Sequence, residues 1–273
     1  MQGVSRESLA ALRERLAARE LGHAGADQVE QESRELLAVA TLLGREVPLR
    51  ASLTDPSTPE DVRGQLARAI LAGRVSSRTV EIVAEAARGR WSRPADLPDV
   101  LEHLGAEAAF TRAEAEGRLL RIEDELFRVA RLVDAQPDLR RSLSGTTLPL
   151  NARRELLRTL LGGRVDSTTL ALLEHVVGSL RGRRLETALE DLLELASVRR
   201  SETVAEATVA VDLTPEQEAR LADVLSRVYG TQVHLQVRVD PDVIGGVVIR
   251  VGDEVIDGSV LNRIEQARRS AAG

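Results

Sequence analysis

Three separate blocks of this 273-residue sequence return 90 positions further on, which restricts the chain to folds that use one unit twice. Glu35-Leu36-Leu37-Ala38-Val39-Ala40 returns as Glu125-Leu126-Phe127-Arg128-Val129-Ala130. Leu49-Arg50-Ala51-Ser52-Leu53 returns as Leu139-Arg140-Arg141-Ser142-Leu143. Leu71-Ala72-Gly73-Arg74-Val75-Ser76-Ser77 returns as Leu161-Gly162-Gly163-Arg164-Val165-Asp166-Ser167. The lengths between blocks are kept, so the same arrangement of elements is expected in both copies.

Each copy reads as helix. Leu36, Val39, Ala40 and Leu43 fall at i, i+3, i+4 and i+7, one face of a helix, and Leu126, Val129, Ala130 and Val133 repeat that face. Thr58-Pro59-Glu60 offers an N-cap followed by a proline at the first helical position. The helix it starts carries Leu66 and Ile70, and Gly73 is placed to end it in the left-handed conformation. Ser76 or Ser77 then caps a helix that buries Val80 and Val83. Leu156, Leu160, Gly163, Asp166 or Ser167, Leu170 and Leu173 take these parts in the second copy. Trp91, Pro94 and Pro98 interrupt the helical pattern, which places a linker near 90–98.

From about Thr203 the period changes from 3.6 to 2. Ala207, Val209, Val211 and Leu213 alternate with polar or small residues, as in a strand. Thr214-Pro215-Glu216-Gln217 combines an N-cap, a first-turn proline and a capping-box glutamine. The helix that follows is expected to bury Leu221, Val224, Leu225 and Val228 and to stop at Gly230. Val233, Leu235, Val237 and Val239 then alternate as a half-buried strand. Gly245-Gly246 leads into Val247–Val251, Gly252-Asp253 supplies a turn, and Glu254-Val255-Ile256 returns as an antiparallel partner. Ser259 is placed to cap a last amphipathic helix with Val260, Leu261, Ile264 and Ala267 on its apolar side.

The fold class is therefore mostly α with a small α+β C-terminal domain: two tandem helical bundles followed by a β-hairpin/helix domain. The expected domains are 1–95, 96–202 and 203–273.

The run from Val239 to Val260, with Gly245, Gly246, Asp257, Gly258 and Ser259, resembles the C-terminal signature of the delta subunits of F-type ATP synthases, whose mitochondrial counterpart confers oligomycin sensitivity. The helix and strand before it and the helices from about Glu102 to Val198 match the same family. The first 95 or so residues are additional and resemble the longer delta subunits of actinobacteria. The resemblance implies a non-catalytic stator subunit of the peripheral stalk, tethering the alpha/beta catalytic head to the b-type stalk subunit so that proton-driven rotation is coupled to ATP synthesis. Its implied partners are the N-terminal segments of alpha subunits and the b-type subunit, and its implied location is peripheral, on the cytoplasmic face of the cell membrane. Leu9, Leu12 and Phe110 are candidate contacts of the helical part, and Leu261 and Ile264 of the terminal helix.

The rest of the sequence offers little chemistry. All 37 basic residues are arginine, so the lysine of a phosphate-binding P-loop is missing. There is no cysteine, which excludes thiolate chemistry and disulfides. Neither Gly162-Gly163 nor Gly245-Gly246 sits at a strand-to-helix phosphate turn. His23, His103, His175 and His234 lack the spacing of a zinc site, and Asp240, Asp242, Asp253 and Asp257 fit no calcium loop. No cofactor, metal or nucleotide is expected. A net charge of −6 with arginines interleaved among acids, and aromatic content of 1%, argue against nucleic-acid binding. No stretch approaches the length of a membrane span. The competing reading is a stand-alone helical-repeat adaptor.

Overall fold

A computed structural model describes residues 3–18, 26–145, 148–202, 204–229, 233–240, 246–251 and 254–257. The chain divides into two compact units. One is Met1–Ala113 with Arg121–Leu195; the other is Glu114–Leu120 with Ala196–Gly273.

The helices run in order α1 (Gly3–Ala18), α2 (Ala26–Arg45), α3 (Val47–Thr54), α4 (Glu60–Leu71), α5 (Ser77–Arg88), α6 (Asp96–Ala115), α7 (Leu119–Ala135), α8 (Pro137–Ser144), α9 (Leu150–Leu161), α10 (Ser167–Gly178) and α11 (Leu185–Glu202). Shifting α3, α4 and α5 by 90 residues gives both ends of α8, α9 and α10, and the end of α2 gives the end of α7. The local chemistry repeats as well. Gly73 and Gly163 both hold φ +70°, where a β-carbon would be strained, and each ends the turn after its helix. Ser76 caps α5 by accepting from the Thr79 amide, and Asp166 caps α10 by accepting from the Thr168 amide.

The expected faces are buried. Leu36, Val39, Ala40 and Leu43 of α2 join Val80 and Val83 of α5 in a core completed by Leu9 and Leu12 of α1 and by Leu97, Val100 and Leu101 of α6. Each such leucine contributes about 2 kcal/mol through apolar burial. In the second copy Leu126, Val129, Val133, Leu157 and Leu173 are buried.

Two expectations about the helical part are corrected. Thr58 does not cap α4. Its hydroxyl turns back to Asp55 Oδ2 at 3.4 Å, its carbonyl accepts from Arg63 Nη1 at 2.6 Å, and Pro59 is the residue before the helix. The linker is also shorter than 90–98. Helix α6 already begins at Asp96, and Pro98 lies in its first turn, where a missing N–H leaves no helical bond unmade. Asp96 is fully buried and accepts from the Arg93 amide at 3.1 Å.

The second unit contains β1 (Val204–Val209), α12 (Pro215–Tyr229), β2 (His234–Val239), β3 (Val247–Val251) and β4 (Glu254–Asp257), in the sheet order β2-β1-β3-β4. Strand β1 is parallel to β2, with α12 as the crossover, and antiparallel to β3; β3 and β4 form the expected hairpin, with Ile249 opposite Ile256. The register aligns Ala205, Ala207 and Val209 with Leu235, Val237 and Val239 on one side and with Val251, Ile249 and Val247 on the other. Leu225 of α12 packs on this face with Leu221 beside it.

The capping box at the start of α12 is reciprocal: the Gln217 amide donates to Thr214 Oγ1 at 3.3 Å, and the Thr214 amide donates to Gln217 Oε1 at 2.8 Å. Val224 and Val228, expected inside, are 43% and 67% exposed. Leu221 and Leu225 are the α12 residues that pack into the core of this unit. Val211 and Leu213 likewise lie beyond the end of β1. The expected final helix lies outside the described residues.

Candidate functional site

The candidate contacts of the helical part are core residues. Leu12 and Phe110 are fully buried and Leu9 nearly so. Gly246 enters β3 at φ +84°, a conformation that favours glycine, and Asp257 ends β4 opposite Val248. Gly245, Gly258, Ser259, Leu261 and Ile264 lie outside the described residues.

Two features of the first unit were not visible in the pattern of apolar residues. The first is a cleft of about 210 Å³ between α1, α2, α5 and α6. Leu16, Leu36 and Ile82 line its apolar part, and Arg13, Glu32, Arg78 and Glu107 bring charge to it. Arg78 pairs with Glu32, and Arg13 donates to Glu107 at 2.9 Å and lies 3.1 Å from His103 Nε2. Burial raises the pKa of Glu32 above its ordinary value despite the arginine beside it. Burial and the neighbouring Arg13 hold His103 below its ordinary value, against the pull of Glu107. One sequence signal marked this place: Glu32 stands where the second copy has the fully buried Ile122.

The second feature is a cluster of charges on α6. Arg181 Nη2 lies 2.6 Å from both Asp99 and Glu102, Arg183 also binds Glu102, and His175 Nε2 is 3.3 Å from Glu102. Burial alone would raise Glu102. His175, 3.3 Å away, and the charges of Arg181 and Arg183 outweigh it and hold the carboxyl at about 2. Charges so placed fasten helices together. Among the described residues, no three His, Asp or Glu side chains converge as metal ligands, and no helix is long and apolar enough to cross a membrane.

Residues 105–270, more than half of the chain, match the family model described as ATP synthase delta (OSCP) subunit. The chain belongs to this family. The ATP synthase subunit delta of Streptomyces coelicolor is 44% identical over 272 residues, covering 100% of this chain and 98% of that protein. The subunit delta of Nocardia farcinica is 40% identical over 273 residues and 100% of both chains. A Mycobacterium protein named ATP synthase subunit b-delta is 41% identical over 98% of this chain, which spans 60% of that longer protein. Among solved structures, a chain of the mitochondrial ATP synthase hexamer of Toxoplasma gondii is similar at 17% identity with a TM-score of 0.31, over 62% of this chain and 95% of that one. Delta-family membership thus spans both helical copies in the full-length relatives, although the family model begins at 105, within α6.

Proposed function

We propose that this delta-family subunit is a stator tether of the F-type ATP synthase, holding the catalytic head to the peripheral stalk while the rotor turns. Family membership is the observation that carries this reading. The helical copies are proposed to engage N-terminal segments of alpha subunits through amphipathic helix docking. The C-terminal unit is proposed to engage the b-type stalk subunit. The Mycobacterium relative supports the second contact, because one chain there carries both the b and the delta names. The proposed location is peripheral, on the cytoplasmic face of the cell membrane, and the proposed role is structural, not enzymatic.

The mechanism asks for attachment. Torque performs work on the head only if the head cannot follow the rotor, so the tether must dissociate slowly compared with each catalytic step. Residues 1–95 add a second helical copy, and with it either a second alpha contact or a longer brace along the stalk.

Removing residues 240–273 in the assembled enzyme tests the reading. Proton-driven ATP synthesis in membrane vesicles is expected to fall while the head keeps its ATPase activity. Undiminished synthesis would overturn the proposal.

A further inference from the structure

We infer that α6 couples the two helical copies into one mechanical body, so that they open and unfold together and not as two domains on a linker. The helix has two working faces. On one, Leu97, Val100 and Leu101 are fully buried in the first-copy core with Leu36, Leu43 and Val83. Further along that side, Ser33 of α2 donates to the Gly105 carbonyl at 2.7 Å, and Arg112 pairs with Glu30. Gly105 lets the helices approach: a β-carbon there would stand 2.9 Å from Leu37 Cγ and 3.2 Å from the Ser33 carbonyl oxygen.

On the other face, Asp99 and Glu102, one turn apart, receive Arg181 and Arg183 from the segment between α10 and α11, with His175 of α10 against Glu102. Arg181 also reaches the first copy, because a β-carbon on Gly44 of α2 would meet its Cδ at 2.9 Å. Among the described residues Arg181 is the one non-glycine residue at positive φ, +49°. A long side chain held in that sparsely populated region, with its guanidinium on α6 and its stem on α2, is what a fastening between copies requires. A force on the first copy therefore passes along a helix that is buried in the first-copy core and ion-paired to the second copy. This coupling is independent of which partner supplies the force.

The single tryptophan allows a direct test in the full-length chain. Trp91 packs on the first-copy core, and its Nε1 donates to the Ala86 carbonyl at 3.0 Å. Leu173→Ala, placed in the second-copy core, is expected to lower the midpoint of the Trp91 fluorescence transition together with that of the far-UV circular dichroism, by on the order of 10 °C. A Trp91 midpoint left at the wild-type value, with a new lower transition seen by circular dichroism, would overturn the inference. Should Leu173→Ala not fold, Leu173→Val allows the same comparison. A clasp variant, Arg181→Gly with Arg183→Ala, keeps a residue suited to positive φ and is expected to split the two midpoints by several degrees. Coincident midpoints in that variant would remove the clasp from the coupling.

Discussion

Glu125 accepts the Thr169 hydroxyl at 2.6 Å, and through the same oxygen it accepts the Asp166 amide at 2.8 Å. Ninety residues earlier, Glu35 Oε2 accepts the Ser76 amide at 3.0 Å and the Ser76 hydroxyl at 2.7 Å. The donors on the other oxygen match too: Gln31 to Glu35 and Arg121 to Glu125, each four residues earlier on the same helix and each at 2.8 Å. A carboxylate on the second helix of each copy thus receives the first turn of the fifth. That placement satisfies N-terminal amides that have no partner inside their own helix. The duplication is one of contacts as well as of sequence.

Glu125→Ala removes the acceptor and leaves a buried threonine hydroxyl and the Asp166 amide without it. The expected loss is about 1–3 kcal/mol, measured by urea unfolding, with an unchanged m-value. Glu35→Ala is expected to act in the same direction, and a variant as stable as the wild type would show that these bonds are replaced by water.

Arg63 is a larger commitment. Its guanidinium donates to the carbonyls of Asp55, Thr58, Ala87, Arg88 and Gly89 at 2.6–3.1 Å, tying the turn before α4 to the end of α5. Arg153 occupies the matching position in the second copy and donates to Val177 O at 3.2 Å. Arg63→Met keeps the length of the stem but removes the guanidinium from five carbonyls, of which Asp55 O keeps the Thr58 amide at 3.2 Å. A loss of about 3 kcal/mol or more is expected in thermal or urea unfolding.

Acid stability follows from Glu102 and His103. Glu102 is held at about 2, below its ordinary value of 4.5. Its stabilisation is therefore fully present above 4.5 and is lost as pH falls toward 2, on the order of 3 kcal/mol in all. His103 is held below its ordinary 6.5, so the unfolded chain takes up its proton first, and stability begins to fall as pH drops through 6.5. Denaturation midpoints measured from pH 8 to 2 are expected to decline in these two windows. Glu102→Gln is expected to flatten the lower one, and an unaltered lower decline would assign it to other carboxylates.

Cutting the chain before Asp96 would strip the first copy from Leu97, Val100 and Leu101, which lie fully buried within its core. The shortened chain is expected to expose that apolar face and to self-associate, detectable by light scattering. A monomer of undiminished stability would show that the second copy completes its own core without the first.

The repeat, the helical faces, the glycine turns and the hairpin were legible because each rests on local chemistry: periodicity, a left-handed glycine, an N-cap. What was not legible depends on distant partners. Val224 and Val228 carry the same spacing as Leu221 and Leu225, and spacing alone does not decide which pair is packed. Thr58 has the right residue type for a cap, but Asp55 takes its hydroxyl. Pro98 reads as a break and instead lies in the first turn of α6. Leu9, Leu12 and Phe110 were candidate contacts on residue type and position, and their burial depends on helices far away in sequence. The α6 charges could not be paired from sequence, since Asp99 and Glu102 lie about 80 residues from the arginines that meet them.

The tether reading is tested most directly by depleting the chain from inverted membrane vesicles and adding the purified protein back. Proton-driven ATP synthesis should collapse on depletion and return on re-addition, with ATP hydrolysis by the head retained throughout. Synthesis that continues at its original rate in depleted vesicles would contradict the account.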